Sequence, residues 1–299
     1  MPTFGARLRD ITRRLSDAGV PSPQADAVAL MAHTFGWETS DVRTAAARDD
    51  HWPVDNPLDL DRLEARVVRR ESREPLQHIL GTAYFRNLAL QVGSGVFVPR
   101  PETEGVAQHA INAALASPRG RDGMVRVTDL CAGSGAIGLS IAAEVPHAQV
   151  TLVEASEAAM VYLRLNARML NADARSRVTI LMADARRCLH LFERCADVVV
   201  SNPPYIPPDA VPRDPEVRDF DPPEALYGLG EDGLDVPRAI VDEAARLLRV
   251  GGTLVMEHAD VQGEALREFA AGSQFWRDPR TEQDLTGRDR CLVVTRDGI

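Results

Sequence analysis

An apolar run that breaks into a glycine-rich turn and resumes with helical periodicity constrains this chain more than any other feature. Val125–Leu130 leads into Cys131-Ala132-Gly133-Ser134-Gly135, and Ala136–Glu144 follows with the spacing of a helix. Strand, glycine turn and helix in that order open a doubly wound α/β sheet. Glycine is needed in such a turn because a side chain would hold a ligand away from the backbone. The helix start beyond it presents free N–H groups and positive potential to a carboxylate or phosphate. Strand-like and helical stretches then alternate over 149–153, 157–170, 178–182, 197–200, 237–248, 252–256 and 291–294. The alternation predicts an α/β, Rossmann-like domain with a mostly parallel sheet.

The leading segment has a different character. Phe4, Leu8, Ile11 and Leu15 recur at helical spacing up to Gly19, and Ala25, Ala27, Val28, Leu30 and Met31 repeat the pattern. Leu60, Leu63, Val67 and Val68 form a third apolar face with arginines outside it. Residues 49–57 are polar and broken by proline, so they read as a loop, and 75–81 reads as a short helix ended by glycine. β-formers over 84–98, interrupted by Gly93 and Gly95, suggest a hairpin or two short strands. A chain of 299 residues suits two domains. The expected division is a small helical bundle over 1–82, a β-hairpin linker over 83–100 and the α/β domain over 101–299.

The formal net charge is -10 and the pI about 5.2, so nucleic acid and anionic lipid are not expected as bulk partners. Every basic residue is arginine, a compositional habit rather than a functional signal. Cys131, Cys188, Cys195 and Cys291 lack the short spacing of a zinc knuckle and read as reduced thiols, and no metal is expected. No apolar run suits a signal peptide or spans a bilayer, which fits a cytoplasmic enzyme, with a monomer favoured.

Two acids extend the ligand reading. Glu154 ends the second strand, about twenty residues beyond the turn, where a carboxylate accepts from both ribose hydroxyls of a nucleoside. Asp184, after the third strand, occupies the position that in such folds lies beside the adenine. Gly133-Ser134-Gly135-Ala136-Ile137-Gly138 also satisfies the G-x-G-x-x-G pattern, so a nicotinamide dehydrogenase stays open on this motif alone.

Ser201-Asn202-Pro203-Pro204-Tyr205 is the most informative segment. It follows the fourth strand and so emerges at the carboxyl edge of the sheet, where ligands bind in open α/β folds. Two prolines stiffen the backbone and can hold an asparagine side chain, a carbonyl and an aromatic face in one geometry. A planar amide or aryl amine is a poor nucleophile because its lone pair is delocalised. If its N–H groups donate to the Asn202 side-chain oxygen and the Pro203 carbonyl, a pyramidal nitrogen with its lone pair aimed at a methyl group is favoured. Tyr205 can pack on the acceptor's flat face. No strong general base is required, and a dehydrogenase has no use for this turn.

With these residues assembled, the chain resembles the HemK/PrmC family of protein-(glutamine-N5) methyltransferases, which act on peptide chain release factors. The likeness covers nearly the whole chain. It includes Glu74-Pro75-Leu76-Gln77-His78-Ile79-Leu80-Gly81, then Phe97-Val98-Pro99-Arg100-Pro101-Glu102-Thr103-Glu104, the glycine turn and the Asn-Pro-Pro-Tyr turn. Asp232-Gly233-Leu234 and Asp284-Leu285-Thr286-Gly287-Arg288-Asp289-Arg290 complete it. The resemblance implies S-adenosyl-L-methionine as cofactor, held by Thr103, Asp129, Cys131, Ala132, Gly133, Ser134, Gly135, Glu154, Asp184, Ala185 and Asn202. It implies catalysis by Asn202, Pro203 and Tyr205, with Pro204 completing the acceptor-binding turn. The helical domain would grip a release factor whose target glutamine lies in a Gly-Gly-Gln loop. Arg100 and Glu102 would line or brace the cofactor pocket, and His78 and His258 read as packed residues. A glutamine of a ribosomal protein, or an amino group of nucleic acid, is the alternative acceptor. Three departures from the family pattern stand out: Cys131 where the turn usually begins with glycine, Asp219-Phe220-Asp221-Pro222 for a Phe-Glu-Pro run, and Glu257-His258-Ala259 for Glu-Ile-Gly.

Overall fold

The computed structural model describes residues 3–51, 57–187 and 194–298. Cys188 and most of the expected loop over 49–57 lie outside the described residues. The chain forms two compact units, Met1–Thr82 with Pro212–Phe220, and Ala83–Val211 with Asp221–Ile299.

The first unit is built from α1 (Phe4–Asp17), α2 (Pro23–Phe35), α3 (Thr39–Arg48), α4 (Pro57–Glu71) and α5 (Leu76–Leu80). The Thr3 hydroxyl caps α1 by accepting from the Ala6 N–H at 3.2 Å. One face of α1 then buries Phe4, Leu8, Ile11 and Leu15 against Leu30, Met31, Val42, Leu63 and Val67. Burying each such side chain stabilises the unit by roughly 1.5–3 kcal/mol. His78 is buried in α5. Helix α3 was not anticipated, because its alanine-rich sequence buries only Val42 and Ala45.

The second unit begins with the hairpin β1 (Thr82–Phe85) and β2 (Leu88–Gln91). The valines beyond it, Val92, Val96 and Val98, are buried without forming a strand. Then follow α6 (Thr103–Ala116), β3 (Val125–Leu130), α7 (Ala136–Glu144), β4 (Ala148–Glu154), α8 (Glu157–Met169), α9 (Ala172–Ser176), β5 (Val178–Met182) and β6 (Ala196–Ser201). After β6 the chain makes an excursion whose helix, α10 (Pro215–Phe220), belongs to the first unit. Helix α10 buries no residue, and its anchorage there is ionic. Glu216 pairs with Arg73 at 2.6 Å and with Arg70 at 2.9 Å, and Arg70 also pairs with Asp26 at 2.8 Å. The second unit is completed by α11 (Asp235–Leu247), β7 (Leu248–Glu257), α12 (Gly263–Ala271), β8 (Trp276–Gln283) and β9 (Asp289–Arg296).

Seven strands form one sheet in the order β5-β4-β3-β6-β7-β9-β8. The first five are mutually parallel, and β9 runs antiparallel to both β7 and β8. Strand β6 is buried along its whole length, as a parallel strand covered on both faces must be. One cluster around Leu139, Ile141, Leu152 and Val200 fills one side of the sheet, and another around Val199, Ile240, Leu254 and Met256 fills the other. The chain runs from β3 outward to β4 and β5, then returns to place β6 on the far side of β3. The carboxyl ends of β3 and β6 therefore meet at the point where the winding reverses, the place such sheets keep for a ligand.

Candidate active site

The glycine turn at the end of β3 needs left-handed backbone at Cys131, Gly133 and Gly135, with φ of 62°, 56° and 89°. At Cys131 a residue with a Cβ accepts that conformation at a cost of about 1–2 kcal/mol, which glycine would not incur. The Cys131 thiol is driven upward in pKa by burial and by neighbouring Glu154. A Cβ placed on Gly133 would meet nothing within 4 Å, so open space lies over the turn. Asn166, buried on α8, donates to the Ser134 carbonyl at 2.9 Å and pins the turn from beneath. Asp129 is buried, and one of its oxygens accepts from the Gly138 N–H at 2.8 Å, bracing the start of α7. Its other oxygen has no partner, and burial pushes its pKa up to about 7.

Glu154 closes onto this turn. One carboxylate oxygen accepts from Gly133 N–H at 2.7 Å, and the other from Ala155 and Ser156 N–H at 2.8 and 2.7 Å. Three backbone donors thus fix the acid beside the glycine opening. The end of β5 is tied in by the Ala183 N–H, which donates to the Glu154 carbonyl at 3.0 Å. Asp184 is engaged by Arg186 at 2.7 Å, which lowers its pKa, and Ala185 is buried beside it. The glycine turn, Glu154 and the segment carrying Asp184 are tied together by hydrogen bonds, and their chemistry fits a nucleoside carrying a charged amino-acid tail.

The turn after β6 is locked to the turn after β3 by one bond. Ser201 donates its hydroxyl to the Leu130 carbonyl at 2.7 Å. Asn202 is half-buried, and among the described residues its side-chain amide has no hydrogen-bond partner. Pro203 is buried, and Pro204 and Tyr205 are half-buried. Behind them the chain is held rigidly. Tyr205 and Ile206 N–H both donate to the Leu226 carbonyl, at 3.1 and 2.8 Å. Gln262 donates its side-chain amide to the Tyr205 carbonyl at 2.8 Å and to the Asp232 carbonyl at 3.1 Å. Close backbone approach explains the glycines of this region. A Cβ on Gly228 would lie 1.8 Å from the Gly233 carbonyl oxygen and 2.8 Å from that of Pro204. A Cβ on Gly233 would lie 2.5 Å from the Tyr205 carbonyl oxygen.

The Tyr205 hydroxyl donates to Glu257, buried at the end of β7, at 3.3 Å. Burial raises the Glu257 pKa to about 7, against the opposing influence of the Thr103 hydroxyl and Arg290. The Tyr205 hydroxyl is likewise raised by burial and by Glu257. Thr103, expected at the cofactor, is buried at the start of α6 on the Glu257 side. Arg100 pairs with Asp221, which also accepts from the Val98 N–H at 3.5 Å, so these residues brace the return from the excursion. His258 is buried with its Nδ1 2.7 Å from the Ala259 carbonyl oxygen, a packed position. No group of three or more His, Cys, Asp or Glu able to hold a metal occurs among the described residues, and no helix there is long and apolar enough to cross a membrane.

Sequence reasoning missed Gln262, Asn166 and the Ser201 hydroxyl. Asn166 carried a readable signal, a polar residue on the buried face of an amphipathic helix. The glycine cluster Gly228, Gly230 and Gly233 was another, marking close backbone contact.

Comparisons with known proteins agree with this layout. The PrmC N-terminal domain family matches residues 7–81, and the methyltransferase small domain family matches 113–213. The chain is 44% identical to the release factor glutamine methyltransferase of Streptomyces coelicolor, with 97% of each chain covered. It is 42% identical to the enzyme of the same name from Bifidobacterium longum, covering 96% of this chain and 97% of that one. A third relative, 4-amino-L-phenylalanine/4-methylamino-L-phenylalanine methyltransferase of Streptomyces pristinaespiralis, is 36% identical over 99% of this chain and 96% of its own.

Proposed function

This chain belongs to the release factor glutamine methyltransferase family, and from that membership we propose that it methylates the side-chain amide nitrogen of the glutamine in the Gly-Gly-Gln loop of a release factor. The observation that carries the site assignment is the half-buried amide of Asn202, unpartnered among the described residues and locked beside the glycine turn by the Ser201–Leu130 bond.

We assign S-adenosylmethionine as the methyl donor; when bound it supplies an electrophilic methyl group on a sulfonium. The residues present suit it. Ala132 to Gly135 and the start of α7 would hold its amino-acid tail, with Asp129 and Cys131 shaping the turn. Glu154 would take the ribose hydroxyls, and Asp184 with Ala185 would flank the base. Asn202 would face the same pocket.

The acceptor carboxamide is planar, and its nitrogen lone pair is shared with its carbonyl. The Asn202 side-chain oxygen and the Pro203 carbonyl accept its two N–H groups. The prolines and the Gln262 bond to the Tyr205 carbonyl stiffen the main chain that carries both acceptors, which lowers the reorganisation needed at reaction. Tyr205 stacks on the carboxamide face and excludes water. The nitrogen gains positive charge as the methyl arrives, so hydrogen bonds to its N–H groups strengthen toward the transition state and not before it. The proton then leaves to solvent. The helical unit holds the body of the release factor.

A second reading is a free aromatic amine as acceptor, favoured by the 36%-identical relative named as a 4-amino-L-phenylalanine/4-methylamino-L-phenylalanine methyltransferase. Both acceptors present a planar nitrogen with a delocalised lone pair. The deciding experiment offers methyl-labelled S-adenosylmethionine with a full-length release factor and, separately, with 4-amino-L-phenylalanine. Label on the Gly-Gly-Gln glutamine supports the family reading. Label on the free amino acid alone would replace it.

A further inference from the structure

The buried acid behind the acceptor turn is poorly satisfied by hydrogen bonds, although Arg290 offsets part of its charge. Glu257 sits at the end of β7 with 2% of its surface exposed. One carboxylate oxygen receives only the long 3.3 Å bond from the Tyr205 hydroxyl. The other oxygen is buried without a partner, as is the Thr103 hydroxyl, which faces the same carboxylate. A carboxylate so poorly satisfied costs folding free energy that a leucine at the same place would not. Such a cost persists where the group does something else. What Glu257 touches is Tyr205, whose main-chain carbonyl is already held by Gln262 at 2.8 Å. The backbone of Tyr205 is thereby fixed, while among the described residues its ring has one polar tether, the hydroxyl bond to Glu257.

We propose that Glu257 is a positioning residue for methyl transfer, fixing the Tyr205 ring in the plane on which the acceptor nitrogen is presented. Thr103 acts with it as a neighbour of the same carboxylate, which gives the Pro-Arg-Pro-Glu-Thr-Glu segment a place behind the acceptor turn. The inference rests on the methyl-transfer reading above. Glu257 is not a catalytic residue here, since it reaches the acceptor only through Tyr205.

The test measures thermal unfolding, cofactor affinity, and kcat and KM for a full-length release factor. It uses the whole chain with Glu257→Leu, Glu257→Gln, Tyr205→Phe and the Tyr205→Phe/Glu257→Leu double variant. Glu257→Leu should unfold at or above the wild-type temperature and bind S-adenosylmethionine normally, yet lose kcat by roughly tenfold or more. Glu257→Gln keeps an acceptor oxygen for the Tyr205 hydroxyl and should regain most of that loss. In the double variant the Glu257 substitution should add almost nothing to the Tyr205→Phe defect, because both remove the same tether. Wild-type kcat in Glu257→Leu would overturn the proposal. So would a loss matched by a fall in unfolding temperature and not rescued by glutamine, or losses that multiply in the double variant. If the wild-type protein transfers no methyl to any release factor, it is the functional reading that fails, and these variants do not bear on it.

Discussion

Glu154 Oε2 accepts from the Gly133 N–H at 2.7 Å, so the acid that ends β4 is docked on the turn that ends β3. The contact joins the two elements that would hold a ribose and an amino-acid tail. It also means that Glu154 serves the turn's shape as well as the ligand. Glu154→Ala should weaken S-adenosylmethionine binding by about ten- to a hundredfold, since a charged acceptor is worth about 1.5–3 kcal/mol. Calorimetric titration checks this. Unchanged affinity would remove Glu154 from the cofactor site.

Cys131 tests the turn by its backbone. Its φ of 62° suits glycine and strains a β-branched residue. Cys131→Gly should bind cofactor and turn over like the wild type. Cys131→Val should lose about 1–3 kcal/mol of stability and bind cofactor more weakly. Denaturant titration and cofactor titration of both variants provide the comparison.

Behind the acceptor turn there is no room for a methyl group at Gly228, where a Cβ would sit 1.8 Å from the Gly233 carbonyl oxygen. Gly228→Ala must therefore push the 228–233 loop away from Pro204 and Tyr205. The expected result is a drop in kcat with cofactor affinity retained, because the loop's close approach is to Pro204 and Tyr205 on the acceptor side. Loss of cofactor binding with normal turnover would mean that the brace serves the other pocket.

Asp129 gives the pH dependence of stability a definite sign. Its folded-state pKa of about 7 lies above the ordinary 3.8, owing to burial. The folded state then holds the proton more tightly than the unfolded chain. This contribution is fully present below pH about 4 and is lost as pH rises through about 7. Asp129→Asn keeps an acceptor for the Gly138 N–H and never ionises. Its stability relative to wild type should improve between about pH 5 and about pH 8 in chemical denaturation. A constant difference across that range would show that Asp129 ionises freely in the fold.

Most of the sheet is legible in the sequence because parallel strands buried on both faces are written as unbroken apolar runs. The run at 197–200, within β6, is such a case, and the glycine turn announces β3. What escaped was written in other terms. Strand β8, Trp276-Arg277-Asp278-Pro279-Arg280-Thr281-Glu282-Gln283, lies at the sheet edge and buries only Trp276. Its polar composition hides it. Helix α6 packs through Ala107, Ala110 and Ala114, which give little amphipathic contrast. In the candidate site, the placement of Asn202 and Glu154 is legible because both lie at strand ends. Gln262 is not, since its role depends on bringing the start of α12 against a turn nearly sixty residues earlier, which no local pattern encodes. The excursion of α10 into the first unit is invisible for the same reason, being held by Glu216 and two arginines far back in the chain.

The central claim is that the half-buried Asn202 amide, held by a proline-stiffened turn, activates a carboxamide nitrogen. The direct measurement is single-turnover methyl transfer by Asn202→Ala to a full-length release factor at saturating S-adenosylmethionine, with the modified residue located by peptide mass analysis. Transfer to the Gly-Gly-Gln glutamine should fall by at least about a hundredfold against the wild type, while cofactor occupancy stays the same. Transfer at an undiminished rate, with the cofactor equally bound, would contradict the account.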